Sequence, residues 1–231
     1  MEQFQKTGFL SSIPPVTKNL IIINLLCWVA SIALPKVNID MIGLFGLHFP
    51  GTSDFRFFQF FTYMFMHDTH SFEHVFFNMF AVYMFGNVLE QVWGPKRFLL
   101  FYLVTGLGAA ITQELAWLWS IQSVASANQI SIAAQLAFDP NVHLLVTVGA
   151  SGAVFGILLA FGILFPNMPL YIIFIPIPIK AKYFVTGYGL IELFLGIANF
   201  GGDNVAHFAH LGGMVFGFFM IMYWRRKIGN G

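Results

Sequence analysis

Six long apolar runs constrain this chain more than any other feature of its sequence. They cover residues 20–34, 72–92, 98–119, 144–165, 183–200 and 205–224. A membrane-spanning helix needs about 20 mainly apolar residues, so each run is a candidate span, with the first extending into its flanks. Only 9% of the residues are charged, against about 25% in soluble domains. The sequence therefore predicts an all-α polytopic membrane protein, with six helices forming a single domain over residues 1–231.

The lysines and arginines predict the orientation of these helices. If the N-terminus is cytoplasmic, nine of the 11 cationic residues fall on the inner side, and only Lys36 and Arg56 fall outside. The inner set is Lys6, Lys18, Lys96, Arg97, Lys180, Lys182, Arg225, Arg226 and Lys227. Cytoplasmic loops carry such an excess, so both termini are predicted inside, with residues 1–19 as a short lead-in. The net charge of +1 gives no indication of nucleic-acid binding.

Two predicted outer segments have unusual composition. Residues 35–66 contain two apolar pieces, 41–47 and 57–66, that are too short to span the bilayer. Such pieces lie in the interface or re-enter it, so this loop could either support a site or only anchor the chain. The second segment, residues 199–204, contains two adjacent glycines and could act as a lid.

The fourth and sixth runs carry a serine and two histidines. Ser151 lies between glycines in Gly149-Ala150-Ser151-Gly152, and on its own this pattern indicates close helix packing. His207 and His210 lie in the sixth run, and ionisable groups inside a bilayer usually mark function. Ser151 and His210 each fall about two turns from the start of their run, in the outer third of the membrane. They could therefore form a nucleophile–base pair, with His207 as a lining residue or second-choice base.

Small residues predict how these two helices meet. Gly152 and Gly156 follow the serine on the fourth helix, and Gly213 and Gly217 follow His210 at i+3 and i+7. Glycine faces let helix backbones approach closely in lipid. Contact between the two faces would bring Ser151 and His210 together.

The second run supplies hydrogen-bond donors at the same depth. His74 and Asn78 are four residues apart and therefore share one helical face. With the Ser151 N–H, they could stabilise the oxyanion of a tetrahedral intermediate. The outer ends of the helices offer no obvious carboxylate to orient His210, so the prediction is a Ser–His dyad. Glu192, in the fifth run, is assigned only a buried interhelical hydrogen bond.

These motifs together resemble those of rhomboid intramembrane serine proteases, in order, spacing and six-helix core. The resemblance implies Ser151 as nucleophile, His210 as general base, and His74 and Asn78 as oxyanion donors, without a metal or cofactor. It also implies cleavage of single-span membrane proteins near the outer membrane face. Two departures stand out. Phe58-Gln59 replaces a Trp-Arg pair common in the first outer loop, and Phe155 replaces a tyrosine, which keeps stacking on His210 but removes a hydroxyl.

Two alternatives remain open from the sequence. His67, His70, His74, His207 and His210 have spacings that suit a metal-dependent membrane enzyme. Only Asp68 and Glu73 provide nearby carboxylates, and a metal site would leave Ser151 unused. The other alternative is an inactive relative that binds transmembrane segments, although such a protein would be expected to lose the serine or histidine. A compact six-helix core is consistent with a bacterial inner membrane.

Overall fold

The computed structural model describes residues 12–172, 175–198 and 206–229, and these are mostly helical. The helices, in chain order, are α1 Pro15–Ala33, α2 Met41–Phe45, α3 Gln59–Thr62, α4 Phe72–Ala81, α5 Asn87–Trp93, α6 Pro95–Ala127, α7 Ile132–Phe138, α8 Ser151–Leu164, α9 Ala181–Ala198 and α10 His207–Gly229. A π-helical segment, Val82–Gly86, joins α4 to α5, so the helix is continuous. The predicted lid at 199–204 and residues 1–11 of the lead-in lie outside the described residues.

Four of these helical segments are long and apolar enough to cross a membrane. They are Pro15–Val37, Phe72–Trp93, Pro95–Ala127 and Ala181–Ala198. Helix α8 is apolar but has only 14 residues. The chain is therefore an integral membrane protein of mainly helical architecture, and the count of six spans stays a prediction.

The structure corrects the boundaries of three predicted spans. The fourth run, 144–165, is helical only from Ser151, because the preceding residues form a 3₁₀ turn and an extended strand. Ser151 is consequently the first residue of its helix, and the expected two turns before it are absent. Helix α10 begins at His207, so His210 lies in its first turn. Helix α6 continues to Ala127, beyond the predicted end at 119.

Helix α8 occupies the centre of the bundle. Ten of its 14 residues are buried. A Cβ on Gly213 of α10 would overlap the backbone of Gly152, and one on Gly156 would lie 2.6 Å from Thr105 of α6. Gly217 lies beside the same threonine, since a Cβ there would be 3.3 Å from its Cγ2. Glycines at these positions therefore let α6, α8 and α10 approach one another with backbone nearly in contact.

The first outer segment is ordered and is connected to the chain that precedes α8. Its short strand β1, Leu47–His48, pairs antiparallel with β2, Val146–Thr147. The fully buried Gln59 holds the loop: its Nε2 donates to the carbonyls of Leu44 and Asp54, and its Oε1 accepts from the Arg56 N–H at 2.9 Å. The glutamine at the departure from the family pattern is therefore itself a loop anchor.

The predicted inner side is held by a buried carboxylate and a β-hairpin. Glu90 accepts hydrogen bonds from the N–H groups of Val16 and Thr17 at 2.9 and 2.7 Å, so it caps the start of α1. A carboxylate is favourable there because the N-terminal end of a helix carries partial positive charge. Between α8 and α9, strands β3 Pro169–Ile172 and β4 Ile175–Lys180 pair antiparallel.

Candidate active site

Ser151 and His210 form a hydrogen-bonded pair between α8 and α10. His210 Nε2 lies 2.8 Å from Ser151 Oγ. The glycine contact between Gly152 and Gly213 holds the two helices close enough for this bond. The histidine is 7% exposed, so little solvent competes for the hydroxyl proton. Geometry of this kind allows imidazole to remove the serine proton as the hydroxyl attacks a carbonyl carbon.

The backbone before Ser151 presents the hydroxyl at a helix start. Gly149 has a φ of 127°, a conformation that side chains with a Cβ rarely adopt. Its N–H donates to the Tyr63 carbonyl at 3.0 Å, and the Tyr63 hydroxyl donates to the Gly106 carbonyl at 2.7 Å. The first N–H groups of a helix have no intrahelical acceptor, so those of α8 are available to an oxyanion.

A carboxylate that the sequence analysis did not assign to the site lies behind His210. Glu192 Oε2 is 2.8 Å from His210 Nδ1 and 2.6 Å from His207 Nδ1. All three side chains are buried. The expectation that His210 has no carboxylate partner was wrong, because Glu192 of α9 turns towards α10 at the depth of the serine. The bond that was assigned to Glu192 does join two helices, and its partner is the histidine paired with Ser151.

Phe155 covers the imidazole of His210. The two rings are stacked, with centroids 4.2 Å apart and planes inclined by 8°. Tyr188 of α9 packs against Phe155, with a distance of 4.8 Å between the two ring centroids. The stack limits rotation of the imidazole, while Glu192 and Ser151 fix the two ring nitrogens.

His74 approaches the serine from α4. A Cβ built on Gly149 would lie 2.8 Å from His74 Nε2 and 3.6 Å from Ser151 Oγ, so Nε2 is directed at the nucleophile region. The Asp68 N–H donates to His74 Nδ1 at 3.4 Å, which leaves Nε2 as the protonated nitrogen. Asn78 Nδ2 donates to the His74 carbonyl at 2.8 Å. One of the two amide hydrogens of Asn78 is therefore used within its own helix.

His67, directly after the first outer segment, packs against His74. The two rings meet edge to face, with centroids 5.2 Å apart. Burial, together with the neighbouring His74, lowers the pKa of His67 to about 3, so its ring is neutral at physiological pH.

In the described part of the chain, one cluster of side chains has donor atoms placed closely enough to hold a metal ion. It consists of Glu192, His207 and His210. One donor atom from each lies within 4.8 Å of the others. Neighbouring ligands of a tetrahedral zinc ion, at bond lengths of about 2.0–2.1 Å, are about 3.3 Å apart. The observed separations of 2.6 and 2.8 Å are those of hydrogen bonds, so a metal would have to push these atoms apart.

A cavity of about 1130 Å³ opens beside His207, between the C-terminal parts of α6 and α9, the start of α10 and strand β2. Its lining includes polar side chains, namely Thr112, Gln113, Ser120, Ser123, Thr147 and His207. Water that occupied this cavity would reach the edge of the buried site.

Comparison with known proteins identifies the family. Residues 54–227 match the Rhomboid domain, a span that includes every site residue described above. The chain belongs to the Rhomboid family. It is 28% identical over 154 residues to rhomboid protease AarA of Providencia stuartii, covering 62% of this chain and 48% of that protein. It is 30% identical over 142 residues to the mitochondrial RHOMBOID-like protein 12 of Arabidopsis thaliana, covering 61% of this chain and 39% of that protein. The matches thus span less than half of each relative.

The candidate site contains one residue that sequence reasoning did not assign to it. Glu192 is an ionisable residue near the middle of an apolar helix, and that property alone was a signal for function. A count along α9 and α10 would also have put it within a few residues of the depth of His210, at about 1.5 Å of rise per residue.

Proposed function

We propose that this protein is an intramembrane serine endopeptidase that cleaves transmembrane segments of membrane proteins. The observation that carries the proposal is the 2.8 Å contact between His210 Nε2 and Ser151 Oγ in a buried site between membrane helices. A hydroxyl paired with an imidazole is the arrangement needed for nucleophilic attack on a peptide carbonyl. Membership of the Rhomboid family supports the same class of reaction.

The reaction follows from the positions of the donors and acceptors. Ser151 Oγ forms a bond to the carbonyl carbon while its proton passes to His210 Nε2. The oxyanion is stabilised by the protonated Nε2 of His74, by Asn78 and by the N–H groups at the start of α8. As the C–N bond breaks, His210 returns the proton to the leaving amine, and a water molecule then hydrolyses the acyl-enzyme by the same route.

The proposal includes the orientation of the protein in the membrane. The excess of lysine and arginine on one side supports cytoplasmic termini and a site towards the outer face of a bacterial inner membrane. The substrates are then single-span membrane proteins, presented from the lipid bilayer, and no cofactor takes part.

The test is cleavage of a single-span substrate in liposomes by the wild type and by variants, with and without EDTA. Ser151→Ala and His210→Ala are expected to be inactive, whereas Ser126→Ala and His143→Ala, at exposed positions, keep full activity. A fluorophosphonate should label the wild type but not Ser151→Ala. Continued cleavage by Ser151→Ala would refute the proposal, and inhibition by EDTA would favour a metalloenzyme built on the histidines.

A further inference from the structure

We propose that Glu192 is a positioning residue that sets the tautomer of His210, so that the site operates as a Ser–His–Glu triad. This inference rests on the proposed protease function. The observation behind it is that one carboxylate oxygen, Oε2 of Glu192, accepts from the Nδ1 atoms of both His210 and His207.

The carboxylate of Glu192 determines which nitrogen of His210 carries the proton. A carboxylate can only accept hydrogen bonds, so His210 Nδ1, at 2.8 Å from Oε2, must carry the proton. The other nitrogen, Nε2, then has a free lone pair directed at Ser151 Oγ at 2.8 Å. Of the two neutral tautomers, this is the one that can remove the serine proton, and a serine site that loses it loses most of its rate.

Glu192 also acts on His210 through its negative charge. When Nε2 takes the serine proton, the imidazole becomes a cation beside a carboxylate that is only 4% exposed. Attraction between opposite charges is much stronger in a buried site than in water. Glu192 therefore favours the transition state, in which the imidazolium forms, more than the resting state.

His207 is the second hydrogen-bond donor to the Glu192 carboxylate. Its Nδ1 donates to the same oxygen at 2.6 Å, and it precedes His210 by one helical turn on α10. Two donors from one helix fix the carboxylate of α9 in place. A buried carboxylate with two such bonds has fewer alternative orientations, so the orientation of His210 is fixed as well.

Enzyme kinetics in liposomes separates this role from a structural one. Glu192→Gln keeps the shape of the side chain but removes the charge, and we expect kcat to fall on the order of 100-fold with KM within about twofold. Glu192→Asp, which restores the charge, should recover part of the loss. The matched control is Glu114→Gln, the same substitution at another buried glutamate of a membrane helix, which should keep the wild-type kcat. A wild-type kcat in Glu192→Gln, while Ser151→Ala is inactive, would overturn the inference and leave the proposed function intact.

A second measurement on the unaltered protein holds even if the Glu192 variants do not fold. Nitrogen NMR of histidine-labelled wild type, with His210→Asn to assign the signal, reports which ring nitrogen is protonated. We expect the proton of neutral His210 on Nδ1. A proton on Nε2 would overturn the inference, whereas activity that survives in Ser151→Ala would instead overturn the proposed function.

Discussion

Gly213 of α10 packs directly on the backbone of Gly152 in α8. The side-chain hydrogen atom of glycine is all that fits between the two helices, because a Cβ at Gly213 would overlap the Gly152 carbonyl group. Ser151 directly precedes Gly152, and His210 lies one turn before Gly213. The contact between the two glycines therefore brings Ser151 and His210 within hydrogen-bonding distance. The hydrogen bond between Ser151 and His210 thus depends on a packing contact between two glycines that take no part in that bond.

Gly213→Ala should separate the helices and the pair. Overpacking a buried contact costs about 1–3 kcal/mol, and the methyl group here meets backbone that cannot rotate away. We expect a lower thermal midpoint in detergent and a loss of cleavage of at least tenfold. The control is Gly187→Ala on α9, where a Cβ would have no neighbour within 4 Å. If Gly213→Ala and Gly187→Ala had the same thermal midpoint and the same rate of cleavage, close packing at Gly213 would not be what holds the pair together.

Gly149→Ala should reduce activity more than stability. A φ of 127° disfavours any residue with a Cβ, at about 1–3 kcal/mol, and the methyl group would lie 2.8 Å from His74 Nε2. Gly94→Ala is a matched control, since Gly94 also has a positive φ, of 78°, but no neighbour within 4 Å. Both variants should lose stability in thermal unfolding, and only Gly149→Ala should lose cleavage and fluorophosphonate labelling. Full activity in Gly149→Ala would show that cleavage does not depend on the present position of His74.

Gln59→Leu should loosen the first outer segment. The change keeps the approximate size of the side chain but leaves the carbonyls of Leu44 and Asp54 and the Arg56 N–H without this partner. The three hydrogen bonds are partly buried. A hydrogen bond of this kind contributes about 1 kcal/mol net, so we expect a loss of about 3 kcal/mol in the free energy of unfolding. Gln122→Leu, at an exposed position of α6, should be neutral. If denaturant unfolding gave the same midpoint for both, Gln59 would not be the loop anchor.

His67→Phe should make the protein less sensitive to acid. The pKa of His67 is about 3 in the folded protein and about 6.5 when unfolded, so only the unfolded chain binds its proton between these values. The stability present above pH 6.5 is therefore lost as the pH falls, at about 1.4 kcal/mol per pH unit. At pH 5 the wild type should have lost about 2 kcal/mol more than the variant. The difference is measured by unfolding at pH 7 and pH 5, with the exposed His143→Phe expected to follow the wild type.

Sequence reasoning was most successful where a single local rule decides the structure. The small-residue spacing at Gly152 and Gly213 predicted a close contact because only glycine permits it, and the contact is present. The start of α8 was missed because residues 144–149 are as apolar as the helix that follows, and hydropathy does not separate an extended segment from a helical one. Glu192 was missed because its role depends on which face of α9 meets α10, and such packing is a tertiary property.

Under the proposed protease function, the shortness of α8 determines the depth in the membrane at which a substrate is cut. Fourteen residues, at about 1.5 Å of rise each, cover about 21 Å, whereas the hydrocarbon layer is about 30 Å thick. If the inner end of α8 is level with the inner boundary, the serine lies about 9 Å beneath the outer one. A helical substrate would therefore have to unwind about six residues of its outer end before the bond to be cut reached Ser151. Resistance to that local melting, rather than the identity of one side chain, would then select which membrane segments are cleaved.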